Sequence, residues 1–275
     1  LPYTVEPLGI ELGFQTAGIE LGGYPAELVH VTPASLKAEY DRILSSATID
    51  VMVQGADPAR VADLLLQKLQ GIARDPQPFA PPMGMPATAV QQYREEIPGL
   101  TQAKLCMLFT AGENANPPSV SILRVAMSVL GGSATSRLFR NVREKQSLCY
   151  YCGSAAQRAT GVMMIDSGVE PGREAQAEAA ILAEWEALKN GPITQEEVDD
   201  CRRGLLSGMD ALGDSLAALE SWYYGQITRG EPLYPPEYGK VLTSAVSLDE
   251  VRQTLQSYSY SVCYAVTAKP GTQGK

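Results

Sequence analysis

Histidine is almost missing from this 275-residue chain, and His30 is the only one. A zinc site needs at least three protein ligands, and His30 stands between Val29 and Val31 with no carboxylate or cysteine beside it. It is therefore expected to be a packed or surface residue, and the chain is expected to hold no metal of its own. A Ser-His or Cys-His nucleophile would have to recruit the same residue, and no nucleophile-elbow sequence is present. Long apolar runs are also lacking: none approaches the roughly 18 residues that span a bilayer. Basic residues are outnumbered, 22 Lys and Arg against 31 Asp and Glu, for a net charge of −9. Phosphate neutralisation needs a basic face, so neither nucleic acid nor membrane is an expected partner.

Disulfides are not expected either. The five cysteines (Cys106, Cys149, Cys152, Cys201, Cys263) are odd in number and scattered among apolar neighbours. They read as reduced core thiols of a cytoplasmic protein. Cys149-Tyr150-Tyr151-Cys152 matches a redox or metal motif superficially, but residues three apart on a regular strand point to opposite faces. The start, Leu1-Pro2-Tyr3-Thr4-Val5-Glu6-Pro7, has no basic region ahead of an apolar segment and so is not a signal peptide. It opens mid-pattern and without Met, which leads to the expectation of a further part upstream.

What is present is a soluble α+β pattern, with apolar content of 45% and charged content of 19%. Residues 75–86 hold five prolines, which remove backbone donors and favour extended neighbours, so a linker is expected over 75–96. It divides an N-terminal piece, 1–74, from a longer one, 97–275. In the first, Thr32-Pro33 caps a helix with Leu36, Tyr40 and Leu44 on one face. A β-branched strand is expected over Ala47–Val53. Asp57-Pro58 then opens a second helix with Val61, Leu64, Leu65 and Leu69 at helical spacing. One strand between two helices is too little for a stable sheet, as expected of the tail of a larger domain.

The second piece is fuller. Strands are expected at Ala103–Phe109, Leu148–Ser154, Gly161–Val169 and Ser259–Thr267, the middle two adjacent. Helices are expected at Pro118–Leu130, stopped by Gly131-Gly132, and at Glu170–Lys189, closed by Asn190-Gly191-Pro192. Thr194-Gln195-Glu196-Glu197 and Ser247-Leu248-Asp249-Glu250 are capping boxes that open two more. Glu196, Glu197, Asp199 and Asp200 form an acidic cluster, but negative charge in a helix's first turns is what the macrodipole favours, so a cation site is not expected there.

The most specific stretch runs Leu130-Gly131-Gly132-Ser133-Ala134-Thr135-Ser136-Arg137-Leu138-Phe139-Arg140-Asn141-Val142-Arg143-Glu144-Lys145-Gln146-Ser147-Leu148-Cys149-Tyr150-Tyr151. Its glycine turn lacks a P-loop lysine and follows a helix rather than a strand, which excludes a nucleotide cradle. The stretch resembles the LGGG-x-x-SRLF-x-x-VREK-x-x-LAY segment in the second half of the pitrilysin and insulinase (M16) family of zinc peptidases. Gly23–Leu36 is similar to the G-x-x-x-x-L-x-x-V-T-P-x-x-L segment that closes the family's first domain. Family members that bind zinc do so through His-x-x-Glu-His, which is absent here. Cys149 stands where small residues are usual.

The resemblance implies a two-layer LuxS/MPP-like α+β domain, with a mainly antiparallel sheet and helices on one face, over 97–275. A partial copy of the same domain would precede it over 1–74. It implies a substrate-binding, non-catalytic subunit of a two-subunit zinc peptidase, or a fragment of one, with no catalytic residue in this chain alone. Arg143 and Tyr150 would then reach the peptide cleft side by side, the guanidinium facing it without a carboxylate partner. Gly131, Gly132 and Ser136 would form a turn bordering that cleft. No cofactor is expected in this chain; zinc would sit in a zinc-bearing M16 partner subunit or in an upstream region, and self-association is the other pairing. An inactive scaffold of the same fold, and the rear of a single-chain catalytic peptidase, remain the alternatives.

Overall fold

Near-continuous burial carries Ala103–Ala111 through the middle of a five-stranded sheet in the computed structural model, which describes residues 25–77, 84, 87–111 and 119–269. The strands are β1 (Gln91–Ile97), β2 (Ala103–Ala111), β3 (Cys149–Gln157), β4 (Val162–Val169) and β5 (Tyr258–Ala268). They lie in the order β1-β5-β2-β4-β3, antiparallel except for β1 against β5. The α+β class and the mainly antiparallel sheet are thus as the sequence implied. Ala103, Leu105, Met107 and Phe109 of β2 enter the main core, while Cys106 and Leu108 join Val262 in a small cluster on the other face.

The helices are α1 (Pro33–Ser46), α2 (Pro58–Gln70), α3 (Val120–Met127), α4 (Glu174–Asn190), α5 (Gln195–Asp210), α6 (Leu216–Thr228), α7 (Pro236–Ser244) and α8 (Leu248–Gln256). Their starts follow the sequence: Thr32, Asp57, Thr194 and Ser247 each accept a first-turn backbone N–H. Two of these caps are the expected Ser/Thr–Glu boxes, at Thr194–Glu197 and Ser247–Glu250. Val125, Leu130, Ile181, Leu188, Val251 and Leu255 pack on the sheet. Phe109 meets the Trp185 ring edge at 4.6 Å. Full burial of a side chain of this size contributes about 1.5–3 kcal/mol, so this layer dominates the stability of the sheet.

Three expectations need correcting. Residues 47–53 form no strand: among the described residues they find no ladder partner. The carbonyls before them are instead taken by Asp75 and Gln77 N–H groups (Ser45 and Ser46, both 2.8 Å), and Ala47 accepts from Arg74 (2.5 Å). The helix expected from Glu170 starts four residues later, because Gly172 turns at φ +91° and Arg173 bonds back to Glu170. The helix from Pro118 ends as an α-helix at Met127 and runs on as a π-turn, Ser128–Gly132. β1 was not expected, since Gln-Gln-Tyr-Arg-Glu-Glu-Ile has no apolar alternation. It is an exposed edge strand held by its ladder to β5, and its charges discourage further pairing.

The described residues fall into two compact units. One holds those of 82–211 and 234–269, including the whole sheet; the other holds those of 22–81 and 212–233, so that α6 groups with α1 and α2. β1 begins within the stretch expected to be linker; residues 1–24, 78–83, 85–86, 112–118 and 270–275, with the expected helix start at Pro118 and the first residues of the Gly23–Leu36 segment, lie outside the described residues. No described helix is long and apolar enough to cross a membrane.

Candidate functional site

Leu138–Lys145 is π-helical, and its buried Leu138 and Val142 fix it to the core. One inward stripe of two residues leaves Arg143 on the outer side. The segment ends by reversing at Ser147, which sits at φ +50°, an uncommon conformation for a residue with a Cβ. Leu148 then plugs back into the core, and its N–H reaches the Val142 carbonyl at 3.1 Å. The chain thus enters β3 directly beside the helix end it has just left.

β3 begins with a bulge. Cys149 pairs with Val169 and Tyr151 with Gly168, so Tyr150 has no partner residue on β4. Tyr151 is anchored on one face: its ring covers Gly168, and its hydroxyl accepts from Lys104 Nζ (2.9 Å) and donates to Asp166 Oδ1 (3.2 Å). Tyr150 is squeezed outward and its side chain is 57% exposed. Bulges of this kind commonly re-aim one side chain at a sheet edge.

Arg143 and Tyr150 are therefore neighbours, and they meet through the main chain. Arg143 Nε donates to the Tyr150 carbonyl at 2.7 Å. Its Nη1 donates to Glu144 Oε1 at 2.9 Å, and its guanidinium lies 4.6 Å from the centre of the Phe139 ring. The expectation of an arginine with no carboxylate partner is thus corrected: the adjacent Glu144 meets it, in an exposed ion pair. The two residues line an open cavity of about 380 Å³ with Glu144, Ser147, Leu148, Cys149 and Glu170.

Gly131, Gly132 and Ser136 are not among the residues lining this cavity. Gly131 is buried where a Cβ would come within 2.8 Å of Ser154 N and 2.9 Å of Leu138 Cδ1. Ser136 is fully buried, with its hydroxyl on the Ser133 carbonyl at 2.6 Å. The turn brings the π-helix against β3 instead of bordering the cavity. His30 is exposed, and no three His, Cys, Asp or Glu side chains cluster as metal ligands among the described residues. The acidic cluster of α5 is engaged by arginines: Glu197 with Arg137, Asp199 with Arg202, Asp200 with Arg203.

Sequence reasoning missed Cys149 as a site residue. Hydrogen bonding to Cys152, then to Ser167, with the Arg143 charge beside it, outweighs burial and brings its thiol down to about 7. The bulge is the reason it was missed, since it puts Cys149 and Cys152 on one face.

Residues 30–205 match the family described as the peptidase M16 inactive domain. The chain belongs to the M16 peptidase family. Two curated relatives from Bacillus subtilis are similar to it. The probable inactive metalloprotease YmfF is 32% identical over 104 residues, 38% of this chain and 24% of that protein. The uncharacterized zinc protease YmxG is 32% identical over 122 residues, 44% of this chain and 28% of its own length. The matched parts are thus about a quarter of those relatives. Among solved structures, a conserved protein from Enterococcus faecalis superposes with a TM-score of 0.79 at 22% identity, covering 94% of this chain and 62% of that one. An M16 inactive domain from Pseudomonas fluorescens gives 0.70 at 19%, covering 96% and 66%. Both share the fold, and the M16 chain described here is an inactive-domain member of its family.

Proposed function

We propose that this inactive M16 domain binds substrate in the non-catalytic subunit of a two-subunit M16 zinc peptidase, giving Arg143 and Tyr150 to the peptide cleft. The observation that carries this reading is the Arg143 guanidinium pinned through Nε to the Tyr150 carbonyl at the wall of an open cavity, with the Tyr150 ring outside. Pinning sets the plane of a planar fork of donors. Nη2 makes no hydrogen bond with the described residues and is available to a peptide carbonyl, while the phenol of Tyr150 offers a second donor. Donors fixed in advance lose little on binding and stabilise charge that grows on a carbonyl oxygen.

Zinc does not fit this chain's own residues: it has one histidine and no His-x-x-Glu-His. On this reading a zinc-bearing M16 subunit, or a region upstream, supplies the metal that activates water, and this chain holds and orients the peptide. The proposed setting is a cytoplasmic heterodimer; self-association is the other pairing. The Arg143–Glu144 ion pair favours a second reading, an M16-fold scaffold in which the arginine serves only its own helix end.

The test is peptide cleavage by the full-length chain mixed with a zinc-bearing M16 subunit. Arg143→Ala or Tyr150→Phe is expected to lower kcat/KM by on the order of 2–4 kcal/mol, the scale of one preorganised donor. Association and folding should stay near parental values. Parental rates in both variants would leave the scaffold reading. Cleavage and bound zinc in the full-length chain alone would make it the rear of a catalytic subunit.

A further inference from the structure

The Tyr150 carbonyl and the Tyr151 N–H belong to one planar peptide unit, so the seating of Tyr151 decides where that carbonyl points. The bond it accepts from Arg143 Nε, at 2.7 Å, is the hydrogen bond that ties the guanidinium to β3. The contacts of Arg143 with Glu144 and Phe139 stay within its own helical segment. Because the bulge leaves Tyr150 without a partner on β4, the ladder that fixes an ordinary strand residue does not fix it. Tyr151 is the first paired residue past the bulge, and it is held at three points.

Its hydroxyl lies between Lys104 Nζ, which donates at 2.9 Å, and Asp166 Oδ1, which accepts at 3.2 Å. Its carbonyl accepts from Ser167 Oγ at 2.9 Å. Its ring lies on Gly168, where an added Cβ would come within 2.5 Å of Tyr151 Cε1. Lys104, Gly168 and Tyr151 are paired in one row across β2, β4 and β3. The end residues stand two strands apart, about 10 Å. The middle one has no side chain, so the ring crosses the gap and meets the lysine, whose Nζ is also 4.5 Å from the ring centre. Burial, then the Asp166 charge, push the phenol up, so it keeps its proton for the carboxylate. A phenylalanine would cover Gly168 as well. The two hydroxyl bonds add direction, which non-directional burial does not.

We propose that Tyr151 is a positioning residue, held by Lys104, Asp166 and Gly168 so that the Tyr150 carbonyl meets Arg143 Nε and the Tyr150 ring stays outside the strand. Its use in peptide cleavage rests on the substrate-binding reading above; the placement of Arg143 does not. The effect passes along one peptide plane and needs no movement of the sheet. Tyr151→Phe loosens that plane by removing its polar anchor. Gly168→Ala keeps the hydroxyl but displaces the ring.

The experiment reads the Arg143 Nε–H by nitrogen–proton NMR of the full-length chain, with the signal assigned by its loss in Arg143→Lys. In Tyr151→Phe and Gly168→Ala this proton is expected to exchange with solvent about tenfold faster than in the parental chain, the scale of one hydrogen bond. The backbone amides of β2 should keep parental protection. Parental exchange at Arg143 in both variants overturns the proposal; so does an equal loss across β2, which would make Tyr151 a general strut of the sheet. Cleavage by the chain mixed with a zinc-bearing M16 subunit supplies the second readout. There Tyr151→Phe should lower kcat/KM about tenfold in the parental background and leave Arg143→Ala no worse. Equal losses in both backgrounds overturn the positioning role. If Arg143→Ala cleaves at the parental rate while its Nε–H exchange responds as expected in the other variants, the substrate-binding reading fails and the placement stands. Should Gly168→Ala misfold, Lys104→Met removes one of the two hydroxyl bonds at a partly exposed position. It should speed the Arg143 exchange in the same direction, and parental exchange there and in Tyr151→Phe overturns the proposal.

Discussion

Arg137 shows what an arginine of this domain does when its role is stability. Its Nε and Nη2 grip both Glu197 oxygens at 2.7 and 3.0 Å, and Nη2 also reaches the Pro192 carbonyl. The pair is 15% and 22% exposed, against 36% and 58% for Arg143 and Glu144. Arg137, with the Thr194 cap, holds the Glu197 carboxyl down to about 2. A folded-state value below the unfolded one, about 4.3, means the stabilisation is complete above that pH and is lost as pH falls from there toward 2. The shift is worth at most about 3 kcal/mol, and about 1–2 after allowing for partial exposure. Glu197→Gln should therefore lower the urea midpoint at pH 7, with the gap from the parental chain closing by pH 2. A gap of equal size at pH 7 and pH 2.5 would show that charge is not what Arg137 recognises. Glu144→Gln should shift unfolding by less than about 1 kcal/mol, because an exposed pair contributes little; calorimetry at pH 7 checks it.

At the scale of elements, the site exists because two segments depart from regular periodicity. A π-helix and a bulge each insert a residue into a repeat, and together they set Arg143 beside a residue seven positions on. The motif singled out Arg143 and Tyr150, but patterns of 3.6 and 2.0 residues cannot register an inserted one. That is why Cys149 and Cys152 read as opposite when the bulge puts them on one face. β1 was illegible for another reason, since a polar edge strand is specified by its neighbour's ladder and not by its own side chains. Conversely, Ala47–Val53 has strand-like residues and no ladder partner among the described residues. The caps were legible because they are local. Gly131 joins the two irregular elements, and its missing Cβ is what lets the π-helix approach β3. Gly131→Ala would meet the Ser154 backbone, which cannot yield as a flexible side chain can. A loss of about 1–3 kcal/mol is expected, as for overpacking elsewhere. The measurement is a urea titration; a parental midpoint would mean that the two elements separate at no cost.

On the scale of the whole molecule, the two units differ in what holds them. The sheet unit buries a continuous apolar layer, whereas α1 and α2 have no buried residue at all. Leu36, Tyr40, Val61, Leu64 and Leu65, from the faces that helical spacing marked as apolar, are exposed, and so are Ile43 and Leu66 beside them. Helices of 13 or 14 residues are marginal in water without tertiary packing. Caps at Thr32 and Asp57 contribute about 1 kcal/mol each, too little to replace a buried face. Hydrogen exchange should therefore show the amides of α1 and α2 opening at much lower free energy than those of β2, β4 and β5, at low protein concentration. The concentration series is what gives the measurement its force. If protection of α1 and α2 rises with concentration while that of β2 stays constant, a second copy covers these faces and self-association is the relevant pairing. If it stays low throughout, the apolar faces await a different chain, as the heterodimer reading requires. Protection equal to that of β2 at every concentration would mean that these helices are packed within one chain, and the exposed stripe would be wrong.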